Sequence, residues 1–372
     1  MSTILLLGDF AVGQSLGTIR EGFELFGWRT LHLPTRACIR SHRQRDIDLS
    51  KEESDLIPNP EHWEFSCETD DEFCKNVHRV VEDERPDILL WWCSKEDRPA
   101  GLIEQIRERF EFCKTVTHTQ DDPWNTWRDP QYTNGFEFAV TCCEESVANY
   151  AKRDIRAITL YPPVSPSLHL PAKPNKLEQC DFSVTMFSLY SKGDDDNADR
   201  DSTALEADKL THRIGFPDQR VLRHELLEAV RELGKVNIYG GIGYGTFPGY
   251  PRASYRGFRL YHELPGVYQA AKINLNHHNS PLAHGYLNQR DTTITGSGAF
   301  MLTDHVAGID ELFNVGTEID TWLTLEELNE KAQWWLAHDR HRQQAGKLAQ
   351  RKIFSEYGSI AYARKLAKFV NS

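Results

Sequence analysis

The chain lacks any run approaching the ~18 apolar residues that a membrane-spanning helix requires, which excludes that class. Its eight cysteines, at positions 38, 67, 74, 93, 113, 142, 143 and 180, contain no C-x-x-C pair. That absence argues against a zinc site and leaves reduced, packed thiols of a cytoplasmic protein as the expectation. Positive charge is also short. Lys and Arg number 43 against 55 Asp and Glu, a net charge of −12. Such a surface repels polyanions on average, so a nucleic-acid or membrane partner would need a local basic patch. The N-terminal MSTILLLGDFAVG has only the short apolar core Thr3 to Leu7 and no basic flank. It lacks the anatomy of a signal peptide and reads as a first strand.

The 372 residues suffice for two domains at about 100–200 residues each. With 40% hydrophobic, 11% aromatic and 26% charged residues, the composition is that of a soluble globular protein. Thr3–Leu7, an amphipathic stretch from about 17 to 26 and a second apolar run, Thr30–Leu33, form a βαβ opening. Further strands are expected at Asp87–Trp92, Lys114–Thr117, Phe138–Thr141 and Ala157–Leu160, with helices around 70–83 and 100–111. Strands alternating with helices predict a mainly parallel sheet covered on both faces.

A Pro-rich joint follows, from Tyr161-Pro162-Pro163 through Pro166, Pro171 and Pro174. Such a segment resists helix and sheet alike and fits a linker. A second α/β cycle begins at Cys180–Phe187 and continues with a helix near 219–233, a strand Val236–Tyr239, strands Ile273–Asn276 and Phe300–Thr303, and helices from about Thr324 onward. Trp334, Trp335 and Leu336 are expected in the core. The insertion at about 191–215 carries Asp194-Asp195-Asp196, a charge run without the ligand spacing of a cation loop. Gly240-Gly241-Ile242-Gly243-Tyr244-Gly245 follows a strand, and its glycines let backbone amides approach a phosphate. Pro248 and Pro251 intervene before any helix start, so this is no dinucleotide fingerprint.

The stretch Leu264 to Phe313, LPGVYQAAKINLNHHNSPLAHGYLNQRDTTITGSGAFMLTDHVAGIDELF, with Gly316 and Glu318 beyond it, resembles the C-terminal half of the CgeB-like (spore maturation protein type) glycosyltransferases. Their Y-x-A-A-K-I-x-L-N strand, Arg-led helix start, G-A-F-x-L-T-D strand and G-x-x-E-L-F-x-x-G-x-E turn occur in that order. Asp121-Asp122-Pro123-Trp124 and Tyr161-Pro162-Pro163 are similar to the same family's first domain. The resemblance implies an α/β GT-B fold: two Rossmann-like domains facing across a cleft, with the C-terminal helix crossing back to the first domain. It places an acceptor domain at 1–165, a nucleotide-sugar domain at 166–354 and the returning helix at 355–372. The implied activity is transfer of a sugar, a hexose by default, from a nucleotide diphosphate, with a UDP-sugar as co-substrate and no metal or other cofactor. The chain departs from related retaining enzymes, because Thr293 and Met301 stand where a pair of glutamates is common.

Ligands of such folds sit beyond the carboxyl ends of strands. A leaving diphosphate needs positive charge or dipoles, which Arg290 at a helix start supplies through its guanidinium and the adjacent amides, with Lys192 as a second cation. Other donor-binding candidates are Gly296, Ser297 and Gly298, the carboxylates Asp304 and Glu311, His278 and Asn279 after the INLN strand, and Tyr239 and Gly240. His277 and His278 are adjacent on extended backbone, so their side chains diverge and do not favour a metal. In the first half His118, Asp121 and Asp122 are the catalytic candidates, although an Asp before Pro also initiates turns. Gln14 and Ser15, with the basic run Arg36, Arg40, Arg43 and Arg45, are the acceptor-side candidates. A solvated loop explains that run equally, while an anionic acceptor is the sharper alternative. The acceptor is a hydroxyl of a glycan, small molecule or protein. Two alternatives stand beside it: a hydroxymethylated base in DNA, which the net charge disfavours, and a non-catalytic sugar-nucleotide binder.

Overall fold

The structure, a computed structural model, describes residues 1–8, 16–33, 69–92, 98–120, 122–123, 133–170, 173–185, 219–240, 254–257, 259, 261–278 and 283–372. They form two compact units: 1–167 with 285–292 and 353–372, and 168–284 with 293–352. Residues 285–292, expected with the second domain, therefore group with the first.

In the first unit, β1 (Thr3–Leu7), β2 (Arg29–Leu33), β3 (Ile88–Trp92), β4 (Lys114–Thr119), β5 (Phe138–Thr141) and β6 (Arg156–Thr159) make one parallel sheet. Its order is β2-β1-β3-β4-β5-β6. Period-two geometry divides β1 between two cores. Ile4 and Leu6 pack with Trp92, helix α1 (Leu16–Leu25) and the C-terminal helix Ser359–Val370, whereas Leu5 and Leu7 pack with Trp91, α2 (Asp70–Glu84) and α3 (Leu102–Arg109). Both faces are covered, which is why Ile4–Leu7 of β1 and the whole of β3 are apolar. Helix α2 starts at a capping box, Thr69 with Glu72, and carries Asp70, Asp71 and Glu72 in its first turn, where the helix dipole favours negative charge. Helix α4 (Glu144–Ala151) links β5 and β6.

The second unit holds β7 (Cys180–Thr185), β8 (Val236–Tyr239), β9 (Tyr255–Gly257), β10 (Ala271–Asn276), β11 (Met301–Asp304) and β12 (Asp320–Trp322). The order β12-β11-β10-β7-β8-β9 is, counted from the unit's own first strand, the 3-2-1-4-5-6 order of dinucleotide-binding sheets. Its described helices include α5 (Gln219–Arg231), α6 (Leu264–Ala270), α7 (Gln289–Gly296, whose first turn groups with the other unit), α8 (Ile309–Leu312), α9 (Leu325–Ala337) and α10 (Asp339–Tyr357, whose residues from Ile353 group with the other unit). Phe182, Val184, Ile273, Leu275, Phe300 and Leu302 bury one face of the sheet against Leu226, Val230 and Trp335.

The strand expected at Ile273–Asn276 lies within β10, which starts at Ala271; the motif residues before it, from Tyr268, belong to helix α6, whose first turn Pro265 pre-sets. The three-residue strands β9 and β12 carry too few residues for a periodic signal. Trp335 lies in the core against Phe300, but Trp334 corrects the expectation: it is 45% exposed and stacks on His338.

Candidate functional site

In a 3-2-1-4-5-6 sheet the chain winds outward in both directions from the first and fourth strands, so a crevice opens beyond their carboxyl ends. Here those strands are β7 and β10, and the residues that follow β10 are His277 and His278. The next strand, β11, ends on Asp304. The His278 amide donates to both Asp304 carboxylate oxygens, at 3.0 and 3.1 Å, and His278 Nδ1 lies 2.7 Å from Oδ1. Thr303 Oγ1 donates to the same oxygen at 3.1 Å. His278 is fully enclosed and Asp304 is 5% exposed. Burial by itself would raise the Asp304 carboxyl; the opposing pull of His278, with His277 and the His278 amide, outweighs it and holds the acid well below the ordinary carboxylate range. An ionised carboxylate against Nδ1 fixes a proton on that ring nitrogen. Sequence reading named both residues, but nothing in the chain signals a pairing across 26 positions.

The G-x-x-E-L-F-x-x-G-x-E turn closes on itself. Glu318 accepts from the Asn314 amide at 2.8 Å and its side-chain amide at 3.1 Å, with Lys352 at 3.5 Å. Gly308, at φ 83°, caps α8, and a Cβ there would fall 2.8 Å from His284 Nε2. Glu311 is exposed and pairs with His284 at 3.3 Å.

Arg290 is the second residue of α7, as its expected role requires, but the amides beside it are already used. Asn288 Oδ1 accepts from the Arg290 and Asp291 amides at 2.8 and 3.3 Å, and Asp291 accepts from the Asn288 amide at 2.7 Å. This is a capping box on an Asn-x-x-Asp spacing, a signal present in the sequence and missed. The expectation that these helix amides add to the guanidinium is thereby corrected.

Gly296, Ser297 and Gly298 are corrected more strongly. They end α7 and precede β11, so they lie at the amino end of the sheet, opposite Asp304. Gly296 C=O accepts from Gln350 at 2.8 Å, Ser297 C=O accepts from Gln269, and the Ser297 hydroxyl donates to Thr293 C=O at 2.6 Å. Gly298 sits at φ 73°, the left-handed backbone that glycine adopts after a helix. Tyr239 also turns away from the expected role: its hydroxyl donates to buried Glu178 at 2.9 Å, within reach of Arg256 and Arg259. The Gly240 amide extends the β8–β9 pairing to Gly257 C=O at 3.1 Å.

In the first unit His118 lies inside β4 rather than in the loop after it. Its ring is 0% exposed, stacked on Trp92 at 4.2 Å and 5.9 Å from Tyr362, and burial lowers its pKa to about 3. Asp122 is equally enclosed and accepts from the Tyr150 hydroxyl at 2.6 Å and from the Thr119 hydroxyl. Both are corrected from solvent-facing catalytic positions to interior ones. Gln14, Ser15, Arg36, Arg40, Arg43, Arg45, Asp121, Lys192, Asn279 and the Asp194–Asp196 run lie outside the described residues. Among the described residues no group of three His, Cys, Asp or Glu is arranged to hold a metal, and no helix is long and apolar enough to cross a membrane. Burial pushes the thiols of Cys113 and Cys180 up to about 12, so neither is a ready nucleophile.

Residues 220–368 match the glycosyl transferase-like family. No curated protein sequence matches the chain. Solved structures do, over the whole chain. Sucrose-phosphate synthase from Thermosynechococcus elongatus has a TM-score of 0.61 at 10% identity, with 100% of this chain and 98% of that one covered. A glycosyltransferase from Rickettsia africae gives 0.59 at 12%, with 100% and 98% covered. Anabaena HepE, solved with UDP and glucose, gives 0.58 at 13%, with 100% of both chains covered. Identities this low establish the fold, which is that of the GT-B enzymes.

Proposed function

We propose that the chain is a nucleotide-sugar-dependent glycosyltransferase, taking a UDP-hexose as donor and a hydroxyl as acceptor. The observation that carries this reading is the coincidence of three things: the 3-2-1-4-5-6 order of the second unit, the enclosed His278–Asp304 pair at its switch point, and the glycosyl transferase-like family match over residues 220–368, which include β10 and β11. HepE, of the same fold, has been solved holding UDP-glucose. In the reaction an acceptor oxygen bonds to the anomeric carbon as the bond from that carbon to the diphosphate breaks. The hydroxyl proton passes to a base and the charge stays on the diphosphate. Asp304, already ionised, fixes the His278 turn and ring orientation ahead of binding, so no reorganisation is needed there at the moment of transfer. Arg290 is the proposed diphosphate contact. With His118 and Asp122 enclosed, Asp121 is carried as the base.

The test is UDP release from UDP-sugars, with and without hydroxyl acceptors and with and without a chelator. Slow hydrolysis that accelerates with an acceptor and ignores the chelator is expected. Arg290→Ala should weaken UDP binding more than uridine binding, since one charge-assisted phosphate contact is lost. Binding of UDP-sugars without any release would make the chain a non-catalytic binder, and absence of binding would remove the reading.

A further inference from the structure

At the amino end of the second sheet, on the edge away from Asp304, lies a cavity of about 440 Å³, within the ~300–1,000 Å³ range of small-molecule sites. Its floor is the start of β10 and the residues leading into β11; its wall is one face of α10, where Gln343, Lys347 and Gln350 recur at helical spacing. The walls are built close. A Cβ on Gly346 of α10 would fall 2.5 Å from the Gly298 carbonyl, so glycine alone lets the helix meet that loop. Gln269 and Gln350 then hold the loop by the Ser297 and Gly296 carbonyls.

In a chain of net charge −12 the lining carries Lys272, Arg342 and Lys347 and no carboxylate. Two of these cations are partly neutralised: Lys272 pairs with Asp181 at 2.8 Å, and Arg342 pairs with Asp339 and donates to the Trp335 carbonyl at 2.5 Å. Lys347 is exposed and has no hydrogen bond or ion pair among the described residues. The amides of Gln343 and its neighbours add neutral donors and acceptors that suit hydroxyls.

We propose that this cavity is a second ligand site, which takes a phosphate monoester on a small hydroxyl-bearing body. The phosphate lies on Lys347 and Lys272, and the hydroxyls on the glutamine wall. The site occupies the opposite edge of the sheet from the proposed donor end and does not depend on that assignment.

The test is calorimetric titration of the full chain with glucose 6-phosphate, inorganic phosphate and glucose, each with and without saturating UDP. Glucose 6-phosphate is expected to bind, glucose is not, and UDP should leave the affinity unchanged. Lys347→Glu should weaken binding about tenfold or more, the loss of one charge-assisted contact with added repulsion, and Lys347→Arg should retain it. Inorganic phosphate binding with the same dependence on Lys347 would support the site and place recognition on the phosphate. Three results would overturn it: no binding of either phosphate compound, binding indifferent to Lys347→Glu, or displacement by UDP. An unfolding curve for Lys347→Glu that overlays the parent's separates loss of the site from loss of the fold.

Discussion

The two units use one architecture and put different chemistry at the carboxyl ends of their strands. In the first, the polar groups are spent on neutral partners: Asp122 takes hydroxyls from Tyr150 and Thr119, and His118 is stacked between rings. In the second, Asp304 takes an imidazole and a backbone amide, and that pull keeps it ionised. A residue just after a strand is therefore not a site by position alone. What separates the two aspartates is the partner the fold brings: hydroxyls for Asp122, an imidazole and a backbone amide for Asp304.

The largest expected effect tests that contrast directly. Asp304→Ala leaves a buried imidazole and amide without their carboxylate and should cost about 3–5 kcal/mol, read by urea denaturation, together with loss of UDP release. Asp122→Ala loses hydroxyl partners only and should cost about 1–3 kcal/mol, with UDP affinity unchanged in the folded fraction. Equal effects of both on affinity would erase the distinction.

A smaller pair probes packing. Gly22 of α1 and Gly346 of α10 each face a backbone carbonyl, and an added Cβ would lie 2.1 Å from Ser359 O and 2.5 Å from Gly298 O respectively. Alanine at either should cost about 1–3 kcal/mol by overpacking, the first in a transition reported by the first unit and the second in one reported by the second. Tryptophan fluorescence and limited proteolysis together would show which unit loosens.

The last effect is one of pH. Because burial holds the His118 pKa at about 3 against 6.5 for an ordinary imidazole, the unfolded chain takes up a proton at a pH where the folded one does not. Stability must then fall as pH drops from 6.5 toward 3. His118→Phe keeps an aromatic ring against Trp92 and removes this term, so its melting temperature should fall less between neutral and mildly acid pH than the parent's. Identical slopes would mean that the ring is protonated where it stands.

By itself the sequence determined the α/β class, most strands and the Pro-rich joint, because period-two and helical patterns and proline punctuation act within a few residues. It also carried the Asn288-x-x-Asp291 cap and the motif stretch from Leu264 to Glu318. Only the tertiary structure decided which strands became neighbours and which side chains met or were enclosed. That choice turned Tyr239 onto Glu178, enclosed His118, and set His278 against Asp304, while the place of Gly296–Gly298 before β11 had already put them at its amino end. The reason is that strand order and direction arise from pairings between residues far apart in the chain, and no local pattern records which strands become neighbours.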